Sequence, residues 1–257
     1  MKPNRLVFLL RHDFKVVRRV KWRIAEIVYF PLTTIVIWGF YARGAPEGAL
    51  PAALAVLAVN VLWNFAAVAQ STTNLQILED IWSGSLRQVL LTGVTPGEYA
   101  TARIVFAMAL ALPVGGVMLA VSLPFGLTVH GMYAEAALCV LATAVSSAAL
   151  ALLVAGGVFT LGKEYGFLAW TLMQIFVLFS APFHEPEVFP SALEVVSRFM
   201  PFTDAFAIAR RIAAGLAVGR GMVLRAFAVG ALYMAAGVPL YLAAFARARR
   251  TGLLAKL

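Results

Sequence analysis

Three histidines, one cysteine and two glycine-bounded stretches are where catalysis or ligation would have to start in this sequence. His12, His130 and His184 lie far apart, and Cys139 has no second cysteine to pair with. There is no HExxH pair and no close cysteine set, so neither a zinc site of familiar spacing nor an intramolecular disulfide is written here. Gly157-Val-Phe-Thr-Leu-Gly-Lys-Glu164 nearly repeats the phosphate-cradling G-x-x-x-x-G-K-[ST] loop. Glu164 stands where the magnesium-binding hydroxyl belongs, and no strand precedes Gly157. Trp82-Ser-Gly-Ser85 lacks the Gly-x-Ser-Gly order of an intramembrane serine protease, and the last apolar run holds no histidine. The expectation is a protein that is not itself an enzyme, with no metal or cofactor held by this chain.

Two kinds of polar feature remain. Asn60, Asn64, Ala67 and Ser71 recur at helical spacing, which sets two amides on one face, and Gln174 with Thr171 near it sits mid-way along a later apolar run. Amides in hydrocarbon need partners, so Asn60, Asn64, Thr171 and Gln174 either bond between helices or line a polar path. The second feature is the stretch 79–98, EDIWSGSLRQVLLTGVTPGE. Ser85-Leu-Arg-Gln88 has the form of a capping box. Residues 86–92 then predict two turns of helix stopped by Gly93, the residue type that accepts a left-handed end. Thr95-Pro-Gly-Glu98 writes a second box with Pro96 at the first helical position. Leu86, Val89 and Leu90 make the short helix apolar, while Arg87 and Gln88 leave another face polar. A helix this short is marginal in water, so the membrane surface or a partner must pack on it.

Long apolar helices must position these features. Of the 257 residues, 62% are hydrophobic and 13% charged, with a mean hydropathy of +0.87. Soluble domains sit near half apolar and a quarter charged, so this excess points to the bilayer as solvent. The fold class expected is all-α, one polytopic membrane domain over 1–257. Runs of roughly 20 apolar residues predict six spans, at 24–42, 51–69, 99–121, 133–159, 167–183 and 226–245. Within 5–22, Leu6, Leu10, Phe14 and Val17 oppose Arg11, Lys15, Arg18 and Arg19, the pattern of an interfacial helix filling 1–23. The net charge of +9 gathers at the two ends, which places both termini in the cytoplasm of a multi-pass plasma-membrane protein. With no separate basic domain, nucleic acid is not an expected partner; membrane lipids are. Arg198, Arg210, Arg211, Arg220 and Arg225 cluster before the last span and weigh against that orientation without reversing it. The long basic segment ahead of the first span argues against a cleavable signal peptide.

Ser83-Gly-Ser-Leu-Arg-Gln-Val-Leu-Leu-Thr-Gly-Val-Thr-Pro-Gly-Glu98 resembles the cytoplasmic loop of ABC (ATP-binding cassette) type-2 export permeases. Glu79 and Asp80 match the acidic lead, Ser85 stands for the usual threonine, and Arg87 departs from the usual acid. Met200-Pro-Phe-Thr-Asp-Ala-Phe-Ala-Ile-Ala-Arg210, followed by Gly215, is similar to a second family segment. There Pro201, Thr203 and Arg210 fit, while Met200 replaces an asparagine. The order and spacing of these motifs extend the resemblance over essentially the whole chain.

The resemblance implies that 70–98 is a coupling loop whose short helix docks on a separate ABC ATPase subunit. Two copies of that subunit would bind ATP and magnesium. Lys163 and Glu164 would make a second contact, and a second permease chain, identical or related, would complete the path. The cargo would be a lipid-linked glycan, lipid or hydrophobic small molecule moved outward. Segment 184–223 would re-enter the membrane below an outer gate containing Phe199, Pro201, Phe202, Thr203, Asp204 and Arg210, with Asp204 and Arg210 a candidate pair. The same aromatics also fit an interfacial belt. A rival reading is a six-span assembly subunit that binds a partner without transporting. An ion-coupled carrier fits less well, because Glu26, Glu135 and Glu164 all lie near span ends.

Overall fold

The computed structural model describes residues 10, 11, 13, 14 and 21–250. The expected interfacial helix at 5–22 falls almost wholly outside the described residues. Every regular element among the described residues is helical. In chain order they are α1 (Lys21–Arg43), α2 (Leu50–Trp82), α3 (Ser85–Leu91), α4 (Pro96–Ser122), α5 (Tyr133–Leu161), α6 (Leu168–Phe179), α7 (Ser191–Arg198), α8 (Thr203–Ala213) and α9 (Arg220–Arg250). Short 3-10 turns at Glu47–Ala49, Leu123–Phe125, Lys163–Phe167 and Pro186–Val188 link them.

Four helical segments are long and apolar enough to cross a membrane: Glu47–Trp82, Pro96–Phe125, Tyr133–Leu161 and Arg220–Arg250. Two further apolar helices, Ile27–Arg43 and Glu164–Phe179, are shorter. The run expected to span at 167–183 yields α6, only 12 residues long. At 1.5 Å per residue it reaches roughly 18 Å, well under the ~30 Å hydrocarbon layer. Its apolar run continues beyond Phe179, but the backbone turns at Ala181, whose φ is 48°.

The largest difference from the sequence expectation lies in α2. Its apolar part ends near Ala69, and the polar run after it reads as loop. Instead the helix continues to Trp82, 33 residues in all, roughly 50 Å at the α-helical rise. Nothing between Gln70 and Trp82 breaks a helix: the run has neither glycine nor proline. The polarity there marks a change of surroundings, and only Gly84, at φ 70°, ends the rod.

α2 runs through the centre, touching α1, α4, α5, α6 and α8, while α5 and α9 form the most extensive pair. Consecutive helices α4 and α5 scarcely touch. The buried apolar residues fall into two clusters. One lies toward the end far from α3 and includes Leu57, Phe65, Met118, Phe202 and Phe206. The other surrounds α3 and includes Ile77, Ile81, Leu86, Tyr99, Phe159 and Phe245. Between them, α2 buries Gln70, Thr72, Thr73, Asn74 and Gln76.

Small residues bring α5 and α9 together, as expected where close backbone approach drives helix association in lipid. A Cβ on Gly237 would lie 3.0 Å from the Ala149 carbonyl oxygen, and one on Gly156 would lie 3.5 Å from the Tyr241 backbone. By contrast, a Cβ on Gly116 of α4 would meet nothing within 4 Å. Gly237→Leu is therefore expected to lose about 1–3 kcal/mol by overpacking against immovable backbone. Gly116→Leu should keep the wild-type thermal midpoint, and unfolding of both variants in detergent measures the contrast.

Candidate functional site

The features at the α3 end of the bundle form one junction. Gly84 turns the chain with a left-handed φ, which only glycine adopts at no steric cost, and α3 begins at Ser85. Here the expected first capping box is not formed: the residue before the helix is Gly84, and no side chain caps it. Ser85 lies one residue too far along to cap, already inside the helix, and its hydroxyl instead donates to Asp80 Oδ1 at 2.9 Å, a charge-assisted bond to a buried carboxylate. The second box is complete. Thr95 Oγ1 accepts from the Glu98 amide at 3.2 Å, and Glu98 Oε2 accepts from the Thr95 amide at 3.0 Å. Gly93, at φ 75°, ends α3 as expected.

Asp80 is the hub. Tyr99 and Arg103, one turn apart on α4, both converge on it. The Tyr99 hydroxyl donates to Asp80 Oδ2 at 2.7 Å, and the Arg103 guanidinium pairs with the same oxygen. Arg103 also pairs with Asp13 of the N-terminal segment and sits 4.8 Å from the centroid of the Tyr99 ring, a cation–π distance. Arg103 and Asp13 are fully buried and Asp80 nearly so. On the other side, the Tyr241 hydroxyl of α9 donates to the Pro96 carbonyl at 3.1 Å. Five pieces of chain thus meet around one guanidinium: the N-terminal segment, α2, α3, α4 and, one contact away, α9. The groups are mutually paired donors and acceptors, an arrangement that fixes relative position.

α3 presents two faces. Leu86 and Val89 are buried within the surrounding apolar cluster and Leu90 packs against it. The bundle itself therefore covers the apolar face for which the sequence required a membrane surface or a partner. Arg87 and Gln88 are exposed, Leu91 is 78% exposed and Trp82, just before the turn, 56%. Positions 87, 88 and 91 share one side of the helix. The Gly162–Gly166 turn comes to the same end: a Cβ on Gly166 would lie 3.1 Å from Leu78 and 3.3 Å from Trp82. Glu164 is exposed there, Glu79 is half-buried, and the Lys163 side chain lies outside the described set.

The path candidates separate. Asn64 Nδ2 donates to Thr34 Oγ1 of α1 at 3.0 Å and to the Asn60 carbonyl and side-chain oxygens, both at 2.9 Å. The pair therefore ties α1 to α2. Thr171 and Gln174 lie on the exposed face of α6, where the Thr171 hydroxyl donates to its own helix at Phe167. Further along α2, the Gln70 and Asn74 amides are buried, and neither reaches a hydrogen-bond partner among the described residues. The sequence pattern ended its polar face at Ser71 and missed them.

In segment 184–223, α7 and α8 are two short helices joined by Phe199–Phe202. Phe202 is fully buried and stacks on Phe206, while Phe199 is exposed. The Pro201 carbonyl accepts from Ser146 at 3.0 Å, and the Thr203 hydroxyl donates to the Ser197 carbonyl. Asp204 does not pair with Arg210. Six residues on one helix put the two on different sides, since only separations of three or four bring side chains together. Asp204 takes a bidentate pair from Arg225 of α9, at 2.8 and 2.9 Å from Nε. Arg210 donates to the carbonyls of Ala181 and Pro182 at 2.8 and 2.9 Å and pairs with Glu185 at 3.2 Å.

Asp13, Tyr99, Arg103 and Arg225 are the participants that sequence reading left out. Arg103 carries a signal in hindsight, a lone charge inside an apolar run, and such a residue normally has a partner and a task. No protein-family model and no curated protein matches this chain.

Proposed function

We propose that this chain is the membrane subunit of an ATP-driven ABC exporter with both termini in the cytoplasm. Its six spans are made of the four long apolar helices and of the two shorter ones, Ile27–Arg43 and Glu164–Phe179, around which the bilayer thins. Two copies of a separate ATPase subunit bind ATP and magnesium, and a second permease chain completes the path in a bacterial or archaeal cytoplasmic membrane. Hydrolysis moves a lipid-linked glycan, lipid or hydrophobic small molecule outward. One observation carries the reading: α3 is locked to the bundle on its inner side and free on its outer side. Leu86 and Val89 anchor it, Ser85 joins it to the Asp80–Arg103 pair, and Arg87, Gln88 and Leu91 point away. A helix held this way passes a push on its outer face to α2 and α4 without slipping. The neighbouring turn at Gly162–Gly166 supports a second point of contact. An amide-bearing stretch of α2 and the α7–α8 segment would flank the path and its outer gate.

The buried anchor makes Leu86 unsuitable as a probe, since charging it would unfold the site. The informative variant is Arg87→Glu with Leu91→Asp, on the exposed face. Co-purified with its ATPase, the double variant is expected to lose the complex and substrate-stimulated ATP turnover while keeping the wild-type thermal midpoint. Retention of both complex and turnover overturns the coupling role. Loss of the complex, with no ATP-dependent transport by the wild-type pair in vesicles, would instead favour a non-transporting assembly subunit.

A further inference from the structure

α6 has two faces of opposite kind. Ala169, Met173 and Val177 are buried against the bundle. Phe167, just ahead of the helix, and Trp170, Gln174 and Leu178 follow one another at three- and four-residue spacing and are all exposed, so they form one outward stripe. Gln174 lies mid-way along the apolar run 167–183, with Trp170 a turn before it and Leu178, 62% exposed, a turn after it. Its amide carries two N–H donors and an acceptor. The neighbouring Thr171 hydroxyl is satisfied by the Phe167 carbonyl at 3.2 Å, whereas no group among the described residues reaches the Gln174 amide.

No other apolar helix carries such a group on its outside. Among the described residues of the four long and two shorter apolar helices, Gln174 alone exposes a side-chain amide. Asn60, Gln70, Asn74 and Gln76 are buried, and Asn64 bonds to Thr34 of α1. The outward faces of α4 and α9 present Leu112, Leu119, Leu232 and Leu240, which acyl chains cover without loss. Acyl chains offer an amide neither donor nor acceptor, so lipid on the α6 stripe would leave the polar atoms of Gln174 unsatisfied. α6 also has only 12 residues, and association is one way in which an apolar helix too short for the bilayer accommodates the mismatch.

We infer that the outward stripe of α6 docks a second copy of this chain, the two Gln174 amides bonding to each other across a two-fold axis along the membrane normal. Such an axis sets the same patch of both copies face to face, so whatever lies on it must be complementary to itself. An amide is: each Nε2 donates to Oε1 of the other copy, and both groups are satisfied at once. A lysine or a carboxylate in that place would meet its own charge. Trp170 and Leu178, one turn to either side, keep water from the pair, and a hydrogen bond in such surroundings is stronger than in water. The alternating three- and four-residue spacing of the stripe is that of helices crossing at a small angle, which keeps them in contact along their length. In the export reading this copy is the second permease chain. The pairing itself rests only on the membrane setting of α6 and applies equally to a subunit that does not transport.

The test uses the full chain alone in phosphatidylcholine vesicles, with no ATPase present. Cys139→Ala removes the single thiol, and Leu178→Cys then places one on the stripe beside an intact Gln174. Oxidation is expected to link the Leu178→Cys chains in pairs. Leu232→Cys, on the outward face of α9, should link about tenfold more slowly, because a disulfide forms only between closely apposed positions. Fluorescence transfer between copies labelled at an added tag, followed as lipid dilutes them, gives the dissociation constant of the pair. Gln174→Leu should raise that constant by about tenfold, the loss of two amide bonds between helices. It should keep the wild-type thermal midpoint in detergent, since the position is exposed. Linking no faster at 178 than at 232, or an unchanged dissociation constant in a normally folded Gln174→Leu protein, overturns the inference. So does rapid modification of Gln174→Cys by a membrane-impermeant maleimide, because water at the stripe would satisfy the amide without a second copy. With the ATPase left out, a failure of pairing is read separately from a failure of the coupling role of α3.

Discussion

Arg103→Leu is expected to lower the unfolding free energy by about 3–5 kcal/mol, because it removes one partner from a buried ion pair and leaves the others charged. Asp80 and Asp13 both depend on this guanidinium, and both are inaccessible to water. Arg103→Lys should recover little of the loss. An ammonium is a single point charge, whereas the guanidinium offers a planar set of donors to two carboxylates at once. The double variant Arg103→Leu/Asp80→Asn should be less damaged than the two single losses added together, with a coupling of about 0.5–3 kcal/mol for groups in direct contact. Thermal unfolding of the four proteins in one detergent measures the cycle. Additive losses would mean that Arg103 and Asp80 do not stabilise each other. Hydrogen exchange adds a local readout: α3 should lose protection in Arg103→Leu, since Ser85 reaches the bundle through the same Asp80.

The second large effect lies at the other end. Arg210→Leu is expected to cost about 2–4 kcal/mol, because the carbonyls of Ala181 and Pro182 lose a shared donor and each unsatisfied buried acceptor costs about 1–3 kcal/mol. Both residues are buried, and Ala181 also sits at a left-handed φ of 48°. The arginine therefore fixes a turn that local propensity disfavours. Glu185→Gln is the control. Glu185 is mostly exposed, and a surface pair of that kind is worth about 0–1 kcal/mol. If the two variants destabilise equally, the ion pair rather than the carbonyls carries the role of Arg210.

Both predictions rest on contacts that the sequence did not announce, and the reason is the same in each. Arg103 and Asp80 are 23 residues apart, Arg210 and Ala181 are 29, and no periodicity links such distant positions. The candidate Asp204–Arg210 pair came from nearness along the chain. Helical geometry separates the two and brings Arg225, on the next helix, to Asp204. The Asn60–Asn64 face was legible because its spacing is local, but its partner Thr34 emerges only once α1 lies against α2.

The α3 junction shows how far local rules reach. Gly93 and the Thr95–Glu98 box stop one helix and start the next through interactions within four residues, and the chain does what those residues prescribe. Ser85 fails the same kind of rule because the left-handed Gly84 takes the position before the helix and leaves Ser85 inside its first turn, where the hydroxyl reaches Asp80 instead. The end of α2 fails as a sequence boundary because polarity was mistaken for a break.

By itself, the sequence determined that this protein is a bundle of apolar helices, several of them long enough to cross a membrane, where most of them run, and that a short helix sits between α2 and α4. Composition and short-range stereochemistry are enough for that. The tertiary structure alone decided that Leu86 and Val89 face inward, that Arg87, Gln88 and Leu91 face outward, and that Arg103 holds the junction closed. Burial and charge pairing belong to the meeting of helices, and a residue's own neighbours in the chain do not specify which helices meet.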